Sequence, residues 1–196
     1  MRGLWWARLL NSVVALFNAG AAAAAGDYES IATVTVGSGG AANVEFTSIA
    51  ADWTHLQIRG ISRSDRASGA DPIMVRFNSD GAANYTQHAL YGEGANAVAA
   101  NNLGEAAILN YSVAAANSGA SIFGVCVIDI LDYANANKYK TLRSLGGYDN
   151  NGAGTIALNS GAWLSSSAIS TIRIYPFGGS NFVQYSHFAL YGIKGA

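Results

Sequence analysis

Three histidines, His55, His88 and His187, and two nearby carboxylates, Asp129 and Asp132, are the residues of this 196-residue chain whose types suit acid–base or metal chemistry. Each histidine sits in a stretch that reads as a strand, among apolar or aromatic neighbours. A hydrolytic triad would need a nucleophile and an orienting acid beside one of them, and no Gly-x-Ser-x-Gly elbow occurs. Packing in a core or interface is the commoner use of such histidines. Paired carboxylates can cleave glycosidic bonds, but Asp129 and Asp132 close an apolar run, where turn formation is the commoner job. Asp149-Asn150-Asn151-Gly152 looks like a fragment of a calcium loop and lacks its later acidic ligand; it reads as an Asn-Gly hairpin turn. Cys126 is the sole cysteine, within Gly124-Val125-Cys126-Val127-Ile128. One thiol neither staples a fold nor builds a zinc site, and the reading is an inert core residue. With no phosphate loop or dinucleotide fingerprint, the expectation is a protein that is not an enzyme, with no catalytic residue, cofactor or metal ligand.

The elements that hold these residues follow from composition and period. Charged residues are only 12% of the chain and hydrophobic ones 51%, against roughly 25% charged in ordinary domains. So little charge for so much apolar surface implies cover by other subunits. A net charge of −1, with 11 scattered basic residues, removes the case for nucleic acid. From Asp27 onward the apolar period is two, with Gly, Asn and Ser turns at intervals. The predicted strands are Ile31–Val36, Val44–Phe46, Trp53–Arg59, Ile73–Phe77, Tyr85–Tyr91, Ile122–Leu131, Ile169–Tyr175 and Phe182–Tyr191. Ile122–Leu131, apolar throughout, reads as a central strand buried on both faces; Ala95–Asn102 and Asp149–Gly154 read as loops. About eight to eleven short strands make the fold class all-β, an antiparallel β-sandwich of jelly-roll type. Tyr85–Gly92 is echoed by Tyr185–Gly192, which fits either a shared strand-end requirement or two equivalent Greek-key halves.

Residues 1–26 differ in kind. Trp5, Leu9, Val13 and Leu16 follow one helical face, and most of the other positions are apolar too. The sandwich, 27–196, is therefore expected to be preceded by one short apolar N-terminal α-helix. A secretory signal would use Arg2 and the small residues Ala23–Ala25, but Arg8 interrupts its apolar stretch and the chain retains Met1. Arg8, Asn11 and Asn18 also weigh against a membrane span. The third reading, a docking or oligomerisation helix whose interface is Trp5, Leu9, Val13 and Leu16, is the expectation.

Tyr28–Gly40, Val44–Ile49 and Thr54–Arg59, with Val75–Asp80, Asn84-Tyr85 and His88–Gly92, resemble a family of tailed-bacteriophage virion proteins, over roughly residues 28–192. The resemblance implies a virion component: a tail fibre or spike head, a head fibre or a capsid-surface protein. It carries no catalytic residues. The expected partners are itself, as a homotrimer, and other virion proteins, with host-surface carbohydrate as a further contact. The expected location is the virion, or a secreted, cell-surface one if the N-terminus is a signal. Tyr91, Tyr148, Trp163 and Tyr175, near predicted strand ends, are the candidates for stacking on sugar, beside the commoner role of packing. A capsid cement protein and a secreted carbohydrate-binding module are the alternatives; a glycan-cleaving enzyme using Asp129 is a third.

Overall fold

The computed structural model describes residues 26–110, 113–178 and 180–195. The expected docking helix, with Trp5, Leu9, Val13 and Leu16, lies outside them. Twelve strands run in chain order: β1 (Tyr28–Thr35), β2 (Val44–Phe46), β3 (His55–Ser62), β4 (Ile73–Phe77), β5 (Tyr85–Glu93), β6 (Asn96–Glu105), β7 (Ile108–Asn110), β8 (Gly124–Leu131), β9 (Lys140–Asn150), β10 (Ala153–Trp163), β11 (Ile172–Pro176) and β12 (His187–Ile193). They form an eight-stranded sheet, β1-β12-β3-β8-β9-β10-β5-β6, and a four-stranded sheet, β2-β11-β4-β7. Every ladder is antiparallel. The described residues are all-β, two antiparallel sheets enclosing one main core. No helix among the described residues is long and apolar enough to cross a membrane.

Alternation decides which side of each strand enters the core. In β3, Leu56 and Ile58 point inward; in β8, Cys126, Ile128 and Ile130; in β12, Phe188 and Leu190. They pack against Val44 and Phe46 of β2, Val75 and Phe77 of β4, and Ile172 and Ile174 of β11. Cys126 is buried, as its apolar setting suggested. At one end of the core Tyr85 and Trp163 stack, with Phe77 tilted against both.

Three expectations need correction, and the reading left open for the echoed segments is decided. Ile122–Leu131 is not buried on both faces: β8 begins at Gly124 and only its alternate residues are covered, leaving Val127 38% exposed and Val125 and Leu131 more so. The small sheet covers one side of the large sheet, and no described layer covers the other. Ala95–Asn102 is not a loop; it lies mostly in β6, paired with β5 from Glu93↔Asn96 to Tyr85↔Glu105. Backbone hydrogen bonds of a long hairpin offset the low strand propensity of its alanines and asparagines. Asp149–Gly154 is a hairpin, but only Asn151 and Gly152 are its turn; they take φ of 53° and 92°, the left-handed pair of an Asn-Gly connection. The echoed segments are not equivalent either: β5 and β12 are each second from an edge of the same sheet, but they turn opposite sides of the motif to the core.

Candidate functional site

Because one face of the large sheet has no covering layer, its outward residues form the largest surface on which the described part of the chain can act. Strand register sets that surface in rows. One row is polar: Tyr191, Gln57, Asp129, Arg143, Ser160, His88 and Asn101 are successive partners from β12 to β6. At its centre Gln57, Asp129 and Arg143 are joined by side-chain hydrogen bonds. The Tyr28 hydroxyl donates to Gln57 Oε1 at 2.8 Å, and Gln57 Nε2 to Asp129 Oδ1 at 2.8 Å. Arg143 Nε donates to Asp129 Oδ2 at 3.1 Å. At the β1 end the Tyr28 and Tyr191 rings stack 4.9 Å apart, and the Arg59 guanidinium lies 5.6 and 5.8 Å from their centroids. Burial of the Tyr28 hydroxyl raises its pKa, an effect Arg59 opposes.

The next two rows, toward the β9–β10 hairpin, are apolar. Val127, Leu145, Leu158, Leu90 and Ala99 are successive partners, and behind them run Val125, Gly147, Ile156, Gly92 and Ala97. Leu90, Leu145 and Leu158 are 57, 55 and 53% exposed and Ile156 is 65%. Where the second row carries glycine, the surface sinks into a trough of about 690 Å³, lined also by Gly94, Gly152 and Gly154. A second depression, about 780 Å³, lies where Leu90 and Leu158 meet His88, Asn101, Arg143 and Ser160. Scattered exposed leucines are normal in proteins, but adjoining rows of them mark an interaction surface.

The residues singled out for chemistry do not assemble into a reactive centre. Asp129 faces outward in its bonds to Gln57 and Arg143. Asp132 lies past the strand end in a turn with φ of 49°, bonded by Lys138. That bond holds its carboxyl below the usual range, so at neutral pH it has no proton to give as a general acid. His55 Nδ1 accepts from the Asp132 backbone N–H at 3.0 Å, which fixes the ring at the strand end. In the sheet order four strands lie between His88 and His187, and three between His88 and His55. Among the described residues no group of three His, Cys, Asp or Glu comes together.

The aromatic candidates for sugar contact do not share a surface. Trp163 is corrected outright: it is 3% exposed, stacked on Tyr85, with Nε1 donating to Asp80 Oδ2 at 2.7 Å. A ring enclosed in the core cannot stack on a ligand. Tyr175 belongs to the small sheet, where Arg76 and Arg173 lie 5.3 Å from its ring. Tyr91 and Tyr148 are half-buried, paired with Ala157 and Thr155 on the sheet's opposite side. Sequence reading missed the rows altogether. The available signal was in β10, where Ile156 and Leu158 alternate with Ala157, Asn159 and Gly161, but that pattern puts its large residues on the side that proves to be outside.

A scan of protein-family models matched none, and a search of curated proteins found no relative. Among solved structures, a galectin of Caenorhabditis elegans matches at a TM-score of 0.33 and 9% identity, over 83% of this chain and 96% of that one.

Proposed function

We propose that the chain is a non-enzymatic structural subunit of a bacteriophage virion: an outward-facing appendage of fibre or spike type, built on a sandwich of jelly-roll type. The observation that carries this reading is the uncovered aliphatic face of the large sheet, together with low charge throughout. Leaving an aliphatic side chain in water forgoes about 1.5–3 kcal/mol of burial, so a face of this kind is the surface of a subunit awaiting its neighbours. The resemblance of residues 28–192 to virion proteins supplies the kind of assembly. Self-association and contact with other virion proteins follow from it, and the engaged state of Asp129 and Asp132 speaks for an assembly role over glycan cleavage. Mass spectrometry and immunogold labelling of purified particles test the proposal. A few copies at a tail or fibre are expected; hundreds on the capsid would favour a cement protein, and absence from particles would reject the virion reading.

One observation favours a second reading, a carbohydrate-binding module. The polar row offers planar amide, guanidinium, carboxylate and imidazole groups beside the Tyr28–Tyr191 stack, the side chains that pair with sugar hydroxyls and ring faces. Glycan-array binding that Gln57→Ala abolishes would support it.

A further inference from the structure

On β9 and β5 one apolar row of the outer face carries leucine where the other carries glycine, and a two-fold axis between two copies would exchange the rows. The row midway between them is Cys126, Gly146, Ala157, Tyr91 and Val98, whose side chains belong to the other side of the sheet. A two-fold axis laid across the strands above this row, between two copies placed face to face, exchanges the rows. Residues of one strand that lie equally far on either side of it then meet. On β9, Leu145 falls over the other copy's Gly147; on β5, Leu90 falls over its Gly92. On β10, Leu158 meets Ile156, and on β8, Val127 meets Val125. Leucines that stand clear of the sheet therefore enter the trough that glycines leave.

Charge follows the same operation. Arg143 lies three residues to one side of Gly146 and Asp149 three to the other, both exposed on β9. The axis brings each Arg143 to the other copy's Asp149. Arg143 spends Nε on Asp129 and keeps four further N–H donors on its guanidinium. An axis parallel to the strands would instead lay the Arg143 row on itself, so the charges select one of the two face-to-face arrangements. The surface from Arg143 to Asp149 across β8, β9, β10, β5 and β6 spans about 500 Å² in projection, from strand spacing and rise. Its corrugated accessible area is larger and approaches the ~800 Å² per partner of a stable interface.

We infer that the aliphatic face is the seat of a second copy of this chain, in an isologous pair with Leu90 and Leu145 of each copy in the glycine trough of the other. The inference rests on the structural-subunit reading and adds to it the partner and the register. Isologous pairing of this kind is the commonest closed symmetry among soluble oligomers.

Sedimentation velocity of the full chain over a range of concentrations tests the inference. The wild type is expected to dimerise. Gly92→Leu is the decisive variant, because a Cβ there meets only Ile156 Cγ2 at 3.5 Å and Asn96 O at 3.8 Å, so the subunit has room for it. It fills the trough while adding apolar surface, and it should weaken dimerisation at least tenfold with the melting temperature of the monomer unchanged. Arg143→Glu should weaken dimerisation as well, and Arg143→Glu with Asp149→Arg should restore it. A wild type that stays monomeric, a trimer, or a dimer indifferent to Gly92→Leu would each overturn the inference. So would a monomer in which the thiol of Leu158→Cys is shielded from maleimide, since residues 1–25 of the same chain would then occupy the face. Particle composition is a separate measurement: a chain found in virions but failing these tests sinks the pairing and leaves the virion reading standing.

Discussion

His88-Ala89-Leu90-Tyr91-Gly92 of β5 and Phe188-Ala189-Leu190-Tyr191-Gly192 of β12 differ at one residue in five, yet they present opposite sides to the core. Leu190 is fully buried and Leu90 is 57% exposed. Tyr191 stacks on Tyr28 at the outer surface, whereas Tyr91 shares the inner side of its strand with Tyr85. What precedes each motif sets the difference. Tyr85 already belongs to β5, anchored in the core by its ring and by hydroxyl bonds to Phe77 and Asp80, so positions 87, 89 and 91 follow it inward. Tyr185 is outside its strand, at φ of 71° and exposed; β12 takes its facing from Phe188, packed against Phe182. A strand's period is two, so a shift of one residue exchanges its faces. Identical words acquire their meaning from the nearest large side chain committed to the core.

The sharpest way to break this comparison is to truncate the two leucines. Leu190→Ala should cost about 2–5 kcal/mol, the range for a buried leucine that leaves a cavity. Leu90→Ala should change monomer stability by less than about 0.5 kcal/mol, measured by urea unfolding of each variant. Equal losses would mean that the facings are not opposite.

The glycines give a smaller contrast. A Cβ at Gly192 would sit 2.1–2.5 Å from ring atoms of Trp53, so Gly192→Ala should cost about 1–3 kcal/mol through overpacking. Gly92→Ala meets only ordinary contacts and should melt with the wild type. A thermal scan of both variants decides the matter, and a tolerant Gly192 would show that Trp53 is free to move aside.

The tyrosines at the heads of the two motifs supply the smallest effect, read by pH. Burial pushes the Tyr85 hydroxyl up to about 12 from an ordinary 10.0. Between pH 10 and about 12 the unfolded chain has lost this proton and the folded chain retains it. The folded state then binds more protons, and stability falls as pH rises through that window. Tyr85→Phe should flatten the decline in melting temperature across it, with Tyr185→Phe as the matched removal of an exposed hydroxyl. Tyrosinate absorbance provides a second readout, with one late-titrating group expected to vanish in the Tyr85 variant.

The all-β class, the strands from Val44, Trp53, Ile73 and Tyr85, the Asn151-Gly152 turn and the burial of Cys126 were legible in the sequence, because each depends on local period or turn chemistry. The expected helix and its Trp5 face lie outside the described residues. What the sequence could not display is which side of the large sheet is covered. In β9 and β10 the covered side carries Lys140, Ser144, Gly146, Asn159 and Gly161 beside Leu142 and Trp163, and the open side carries Leu145, Ile156 and Leu158, so the usual pattern is partly reversed. Only tertiary structure explains this. The small sheet brings Ile108 so close that a Cβ at Gly161 would lie 2.6 Å from it; Ser144 bonds Asn110 and Asn159 between the sheets; and the Lys140 ammonium donates to the carbonyls of Asn135, Lys138 and Ser166. Alternation fixes that a strand has two faces. The layer packed against it decides which one is inside, and that contact comes from residues tens of positions away.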